Sequence, residues 1–405
     1  MKIALIGPAY PYRGGIAHHS NMLVRYLRRH GHHVEVITFT RQYPALLFPG
    51  TSQEDTGGAG EEALDVNSVR MVDSIAPVSW YQTASYLRKR HYDLVIFKFW
   101  LPFFAMAFGT IARLARRDGM NVMIVVDNLI PHNQEEALAR KRNLPKRLLA
   151  GIERTINRVL TDYFFRYCTI AITQSSVVRD QLAARYPRIP QRMLPHPTYE
   201  QFGELLPMAE VRRQLGITAS RVILFFGLVR KYKGLDRLLA AMPEIVRRIP
   251  DIQLLVVGEF YDDPEPYMKL IEEGGVASRI TVVNRYIPDD EVPLWFSAAD
   301  LLVLPYHHAT NSGIVQIGYN FDMPAVVTNV GSLGEVVIDG KTGFVIDDPS
   351  PNGLASAVER AFEGDTLETF AGNIPAERAR YSWDTFVDGL AELAESVPPP
   401  RRNRS

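Results

Sequence analysis

The segment that decides the fold is 222–239, with the sequence VILFFGLVRKYKGLDRLL. It starts with an apolar run, 222–227, passes through a basic turn, and continues into 235–248, where apolar residues recur at helical spacing. An apolar strand that a short turn joins to an amphipathic helix is typical of parallel sheets covered by helices on both faces. The segment therefore predicts an α/β domain.

The same alternation of strands and helices extends in both directions along the 405 residues. Two such series predict two doubly wound domains, in which ligands bind beyond the carboxyl ends of the strands. The predicted strands are 2–7, 33–38, 94–99, 122–126 and 169–173 in the first half, and 222–227, 253–258, 280–284, 301–304 and 325–328 in the second. The predicted helices are 16–30, 80–89, 104–116, 235–248, 266–274, 290–299 and 352–363.

Two prolines, Pro195 and Pro197, mark the predicted domain boundary because they interrupt regular structure. We place the first domain at 1–197 and the second at 198–393. The last helix of the second domain, near 383–393, can cross back to the first domain. Residues 394–405, rich in proline and arginine, are predicted to be a disordered tail.

The composition, with 46% apolar and 22% charged residues, is typical of a folded protein and excludes a disordered, collagen-like or coiled-coil chain. A single cysteine, Cys168, excludes an internal disulfide and a cysteine-rich zinc site. The N-terminal apolar run is too short for a signal peptide, and 99–112, at about fourteen residues, is too short for a membrane span. The sequence therefore predicts a cytoplasmic protein.

Charge is distributed unevenly along the chain. Residues 1–200 carry 26 Lys and Arg against 16 Asp and Glu, whereas 201–405 carry 19 against 29. Basic residues concentrate at 139–160, where apolar residues recur at helical spacing. Two interpretations stay open: the helix lies on an anionic membrane surface at the inner face of the membrane, or it packs its apolar stripe on its own domain. Because the basic face lacks interleaved aromatic residues, we expect no nucleic-acid partner.

Two candidate phosphate-binding segments each follow a predicted strand. After the first strand, Gly14 and Gly15 open a helix whose free N–H groups can approach a phosphate, although a plain tight turn fits equally well. After the strand 222–227, Arg230, Lys231 and Lys233 precede a helix N-terminus. Three cations beside oriented amides favour a bound diphosphate over a solvated basic turn.

Two further polar segments also follow strands. In 304–316, a glycine opens a helix among residues that can donate hydrogen bonds to an oxygen-rich ligand, namely Thr310, Asn311, Ser312, Gly313 and Gln316. After 122–126, the residues Asp127, Asn128 and His132 either face a ligand cleft or form a capped turn. The adjacent His307 and His308 lack a third ligand nearby and there is no Asp-x-Asp pattern, so we expect no metal and no cofactor.

The order of these motifs resembles that of retaining glycosyltransferases of the GT-B fold, family 4. The resemblance covers about 1–393 and rests on Gly14-Gly15, 32–36, 230–234, 256–258, 300–305, Gly313, 324–328, Gly331, Glu335, Asp339-Gly340 and Gly343. It implies two Rossmann-like domains with a cleft between them. It also implies that the second domain binds a nucleotide-diphosphate sugar and the first a glycan or lipid-linked acceptor. The implied reaction is a metal-independent hexose transfer with retention of configuration, in which the departing phosphate helps to deprotonate the acceptor.

The resemblance also implies roles for individual residues. Lys233 corresponds to the phosphate-binding lysine, Gly15 meets the diphosphate, and Arg230 stands in for an arginine at the position of Leu228. Gly14, Lys231 and the polar residues of 310–316 complete the donor side. The acceptor side is expected at His18, His19 and Asn128.

Two departures from the family pattern stand out. The family's pair of glutamates should fall near Thr310 and near 317–318, but no carboxylate occurs at either place. Gln316 is the nearest candidate for holding the ribose. The family's histidine after the fourth strand is replaced by Asp127, with His132 five residues later, and either can assist at the sugar. Two alternatives therefore remain beside a transferase: a non-catalytic sugar-nucleotide-binding protein of the same fold, and a sugar-nucleotide epimerase.

Overall fold

The computed structural model describes residues 1–12, 14–44, 53–54, 66–129, 146–199, 202–309 and 313–400. The chain divides into two compact units. Unit 1 comprises Met1–Pro195 together with Trp383–Ser405, and unit 2 comprises His196–Ser382.

Unit 1 contains a sheet in which all neighbouring strands run parallel. Over the described residues it has seven strands in the order β3-β2-β1-β4-β5-β6-β7. They are β1 Lys2–Ile6, β2 His33–Arg41, β3 Ser68–Asp73, β4 Leu94–Phe99, β5 Asn121–Val126, β6 Ile170–Thr173 and β7 Gln191–Met193. The order reverses between β1 and β4, which is where open α/β sheets place their ligands.

Helices cover both faces of this sheet. In the described residues, the helices before β6 are α1 Gly15–Arg29, α2 Pro77–Arg90, α3 Ala105–Arg117 and α4 Lys146–Phe165. Helix α5 Ser176–Arg185 follows β6. Along β4, Val95, Phe97 and Phe99 face one apolar core, whereas Leu94 and Ile96 face the other. Because side chains alternate along a strand, a central strand that is buried on both faces must be apolar nearly throughout.

Unit 2 repeats the arrangement with a second parallel sheet. In the described part of the unit it has six strands in the order β10-β9-β8-β11-β12-β13. The strands are β8 Arg221–Phe226, β9 Ile252–Val257, β10 Ile280–Val283, β11 Leu301–Leu304, β12 Ala325–Thr328 and β13 Gly343–Ile346. The helices are α6 Met208–Gln214, α7 Leu235–Arg248, α8 Glu265–Glu273, α9 Val292–Ala298, α10 Gly313–Asn320, α11 Leu333–Val336, α12 Pro351–Ala361 and α13 Thr366–Arg378. The order reverses between β8 and β11.

The last helix, α14 Trp383–Ser396, packs within unit 1. The indole of Trp383 stacks on Tyr26 of α1 at a centroid distance of 5.7 Å. The helix ends at Ser396, and the Asn121 side-chain amide donates a hydrogen bond to the Val397 carbonyl over 2.9 Å. The prediction of a disordered tail from 394 is therefore wrong at its start, because Ala394 is buried in the core of unit 1. Residues 401–405 lie outside the described residues.

The predicted fold class, α/β with two doubly wound parallel sheets, is confirmed. All ten predicted strands occur in the described residues, and the predicted helices outside the basic segment occur with bounds shifted by at most about three residues. The sequence analysis missed β3, β7 and β13. These strands are short or carry polar side chains, since they lie at or next to sheet edges where fewer side chains are buried.

The basic helix predicted at 139–160 extends further at its C-terminal end than predicted. The observed helix, α4, runs to Phe165, because Phe164 and Phe165 are buried against the unit 1 core and extend its apolar stripe. Residues 139–145 lie outside the described residues. Among the helices of the described residues, none combines the length with the apolar character that a membrane span requires.

Candidate functional site

The basic loop after β8 is held by glycines that no other residue can replace without strain. Gly227 and Gly258 both have positive φ, and a Cβ on Gly258 would lie 2.2 Å from the Gly227 carbonyl oxygen. Gly234, with φ of 70°, ends the short 3-10 turn Lys231–Lys233. A Cβ there would lie 1.9 Å from the Pro305 carbonyl oxygen. The backbones after β8, β9 and β11 therefore approach one another closely at the carboxyl edge of the sheet.

Lys233 is buried at this edge. Its side chain lies against the Tyr306 ring, with Nζ 5.9 Å from the ring centroid, and the residue is 8% exposed. Burial is the main reason that the pKa of Lys233 falls to about 7, and the positive charge of Arg230 lowers it further. An amine in this environment gains its proton most readily when an anion is bound beside it.

Arg230 and Lys231 complete the loop. The Arg230 guanidinium stacks on the ring of Tyr261 at 4.9 Å from the centroid. The Lys231 backbone N–H donates to the Asp262 carboxylate over 2.5 Å, which ties the loop to the segment after β9. The three predicted cations thus lie in one loop at the end of a central strand, with Lys233 buried and Lys231 exposed.

The segment after β11 is bound to the same loop. His307 donates its backbone N–H to the Tyr232 carbonyl over 2.7 Å, and its Nε2 lies 2.9 Å from the Asp236 carboxylate. Asp236 lies in the first turn of α7. The sequence analysis considered His307 only as a metal ligand and did not identify this pairing. In the described residues, no group of three His, Cys, Asp or Glu side chains is placed to hold a metal ion.

Helix α10 begins beside the loop, since a Cβ on Gly227 would lie 2.8 Å from the Ile314 side chain. Gly313 is its first residue. Gln316, one turn further, is fully buried, and neither atom of its amide group has a hydrogen-bond partner in the described structure. The predicted donor-binding residues Thr310, Asn311 and Ser312 lie outside the described residues.

In unit 1, the predicted residues around α1 differ in accessibility. Gly14 adopts a φ of 97°, and its carbonyl accepts the first backbone hydrogen bonds of the helix that starts at Gly15. His18 is partly exposed. His19, predicted on the acceptor side, is instead 1% exposed, because its ring packs against Trp383 and its Nε2 lies 2.7 Å from the Gln174 amide nitrogen.

The second predicted cluster of unit 1 follows β5. Asp127 is paired with Lys98 of β4, with 2.8 Å between Nζ and Oδ1. Asn128 is partly exposed beside it, and His132 lies outside the described residues. Lys98 was missed, although one signal was present: it is a single charge within the six-residue apolar strand Leu94–Phe99.

Comparisons with known proteins cover both units. The family model described as "Glycosyl transferase 4-like domain" matches residues 14–197, and the one described as "Glycosyl transferases group 1" matches residues 220–363. A D-inositol 3-phosphate glycosyltransferase of Corynebacterium urealyticum is 29% identical over 195 residues, or 46% of each chain. One from a Nocardioides species is 25% identical over 334 residues, covering 76% of this chain and 69% of that protein.

The chain spans about half the length of the first curated relatives that it matches. Among solved structures, Anabaena Alr3699/HepE in complex with UDP-glucose superposes with a TM-score of 0.73 and 16% identity, covering 98% of this chain and 100% of that chain. At this identity the likeness shows a common fold.

Proposed function

Since the chain belongs to the group 1 family of glycosyltransferases and has the GT-B fold, we propose that it transfers a hexose from a nucleotide-diphosphate sugar to a glycan or lipid-linked acceptor, with retention of configuration. The observation that carries this proposal is the buried Lys233 beside Arg230 at the carboxyl end of β8. A buried amine and a guanidinium on one loop suit a diphosphate leaving group.

The chemistry follows from where charge develops. As the bond between the anomeric carbon and the diphosphate oxygen breaks, negative charge builds on the diphosphate, and Arg230 and Lys233 stabilise it. The departing phosphate oxygen accepts the proton of the acceptor hydroxyl while the acceptor oxygen bonds to the same face of the sugar. Asp127 and His132 assist at the sugar. The two cations take the place of a divalent metal, so transfer should persist in EDTA.

A ligand screen followed by product analysis tests this function. A specific nucleotide sugar at 100 times its Kd stabilises the protein by about 2.7 kcal/mol, which a thermal-shift screen of UDP-, GDP-, ADP- and TDP-sugars would detect. The selected donor is then incubated with glycan and lipid-linked acceptors in EDTA, and the anomeric configuration of the product is read by NMR. Binding without transfer would indicate a non-catalytic protein, and a changed donor sugar without acceptor would indicate an epimerase.

Gln316 provides a prediction for the donor side, where the family's ribose-binding glutamate is missing. Gln316→Met removes a buried amide without a partner, so we expect unchanged or higher thermal stability. If the amide binds the donor, the donor KM should rise by about tenfold in this variant. A tenfold change corresponds to the loss of one hydrogen bond that contributes roughly 1.4 kcal/mol. Gln253→Met is the matched control, because the Gln253 amide donates a hydrogen bond to the Thr281 hydroxyl. This variant should lose stability, and its donor KM should not change. An unchanged donor KM in Gln316→Met would remove this residue from the donor site.

The membrane interpretation of the basic segment gains support from α4. Ile152, Ile156 and Val159 share one side of the helix and are 49%, 52% and 61% exposed. Arg154 and Arg158 lie exposed on the same helix. An exposed apolar stripe on a helix that also carries exposed arginines suits the surface of an anionic bilayer, where a lipid-linked acceptor would be found.

Vesicle flotation at low salt tests this surface. We expect the protein to float with phosphatidylglycerol vesicles, less so at high salt, because screening weakens the arginine contribution. Ile156→Glu should lower the bound fraction at least tenfold by removing apolar contact and adding a negative charge, worth together roughly 2 kcal/mol or more. Ile75→Glu makes the same change at an exposed position outside α4 and should bind as the wild type does. Absence of flotation would contradict the proposal.

A further inference from the structure

A buried ion pair lies at the carboxyl ends of the central strands of unit 1. Lys98 is the fifth residue of β4, and its side chain is fully buried. Its Nζ lies 2.8 Å from Oδ1 of Asp127, the first residue after β5. In contrast to the lysine, 15% of the Asp127 side chain is exposed. The pair therefore has the lysine inside the core and the aspartate at the boundary between the core and the surface of unit 1.

The surroundings fix the lysine in place. A Cβ on Gly7, which follows β1, would lie 3.0 Å from Cβ and 3.3 Å from Cγ of Lys98, so the lysine stem fills the space beside this glycine. The Asp127 backbone N–H donates to the Phe99 carbonyl over 2.9 Å. Both residues are thus held by the ends of β1, β4 and β5.

Stability alone does not account for this pair. Burial lowers the pKa of Lys98, and the negative charge of Asp127 raises it in part. Burial raises the pKa of Asp127, and the positive charge of Lys98 lowers it in part. Two well-packed apolar side chains in such a place commonly give equal or greater stability than a buried ion pair, whereas removing one partner is strongly destabilising. Perturbed groups of this kind cluster at functional sites.

The pair also lies at the β1–β4 reversal, where open α/β sheets bind ligands. We propose that Lys98 is a positioning residue, which holds the Asp127 carboxylate so that it accepts a hydrogen bond from a hydroxyl group of a sugar substrate. This inference rests on the proposed function. A carboxylate only accepts hydrogen bonds, so hydroxyl donors are the groups it selects, and charge makes that bond stronger than a neutral one.

Three variants separate positioning from packing: Lys98→Met, Asp127→Asn, and both together. We expect Lys98→Met to lower the unfolding midpoint, because it leaves Asp127 without its cation, and the double variant to recover most of that loss. In all three variants kcat/KM should be at least tenfold lower. The loss should appear mainly in the KM of one substrate, and wild-type protein assayed with the matching deoxy sugar should show the same loss.

Arg212 and Asp300 in unit 2 provide a matched control pair. Their side chains are 15% and 19% exposed, with 2.8 Å between Nη2 and Oδ2, and Asp300 precedes β11 at the amino edge of the sheet. Arg212→Met and Asp300→Asn should lower the unfolding midpoint at unchanged kcat/KM.

The outcomes distinguish the inference from the proposed function. If the Lys98→Met/Asp127→Asn protein regains both stability and wild-type kcat/KM, the pair is structural and the inference is overturned alone. If wild-type protein transfers no sugar from any donor, the proposed function fails and the inference with it. Recovered stability with a persistent KM defect supports the positioning role.

Discussion

Replacing Lys233 with methionine is expected to lower kcat for sugar transfer by about 10²–10³ and to leave the fold intact. The reason is that Lys233 supplies charge where the diphosphate departs, and losing one such contact commonly costs about 2.7–4 kcal/mol of transition-state stabilisation. Methionine keeps the length of the buried stem against Tyr306 and removes the desolvated amine, so stability should not fall. Steady-state kinetics with saturating donor measure the change.

The control for Lys233 is Lys269→Met. Lys269 lies on α8 of the same unit, is 71% exposed and pairs with Glu273 over 3.6 Å. An exposed pair of this kind contributes little, so kcat should not change. Wild-type kcat in Lys233→Met would remove the buried lysine from the mechanism.

The pH dependence of donor binding gives a second measurement on the same residue. Because burial and Arg230 lower the pKa of Lys233 to about 7, the free protein loses this charge as the pH rises through 7. A nucleotide sugar keeps a constant diphosphate charge over this range and binds the ammonium form. Its affinity should therefore fall above pH 7, approaching tenfold per pH unit.

Calorimetry from pH 6 to pH 9 measures this decline, and two buffers of different ionisation enthalpy count the proton taken up. Lys233→Arg stays protonated throughout and should show no decline. A wild-type affinity that is constant over this range would mean that the ammonium does not meet the diphosphate.

The burial of Lys233 shows where sequence reasoning succeeds and where it ends. The cations at 230–233 were predicted to bind phosphate because they follow an apolar strand and precede a helix, which is a local pattern. The burial of Lys233 depends on its contact with Tyr306. Tyr306 follows β11, and it reaches the loop only because β11 lies next to β8 in the sheet. No local pattern contains that neighbour.

The strands show the same contrast between features that a local pattern predicts and features that depend on the rest of the sheet. The central strands were predicted because burial on both faces demands continuous apolar runs, as in Leu94–Phe99. Ser68–Asp73 was missed because a strand at the sheet edge needs few apolar side chains, and in this strand only Val72 is buried. Lys98 was missed for the opposite reason, since a charge in a buried strand makes sense only once Asp127, 29 residues away, is placed beside it.

A second large effect is expected at Gly234, where alanine should destabilise unit 2 by roughly 3–5 kcal/mol. Two costs add there. The residue has a φ of 70° and a ψ of 26°, a left-handed conformation that disfavours any side chain. The new Cβ would also lie 1.9 Å from the carbonyl oxygen of Pro305 and 2.8 Å from its carbonyl carbon, and backbone atoms cannot move aside as a side chain would. Urea unfolding measures the loss.

Gly275→Ala separates the two costs, since Gly275 also lies in unit 2 with a φ of 66° but has no atom within 4 Å of an added Cβ. It should lose only about 1 kcal/mol, the cost of the left-handed conformation. The difference between the two variants then measures the close approach of the backbones after β8 and β11, which also holds Lys233 against Tyr306. For this reason Gly234→Ala should weaken nucleotide-sugar binding under conditions where it is still folded, while Gly275→Ala should not. Equal losses of stability in the two variants would show that the loops do not meet at Gly234.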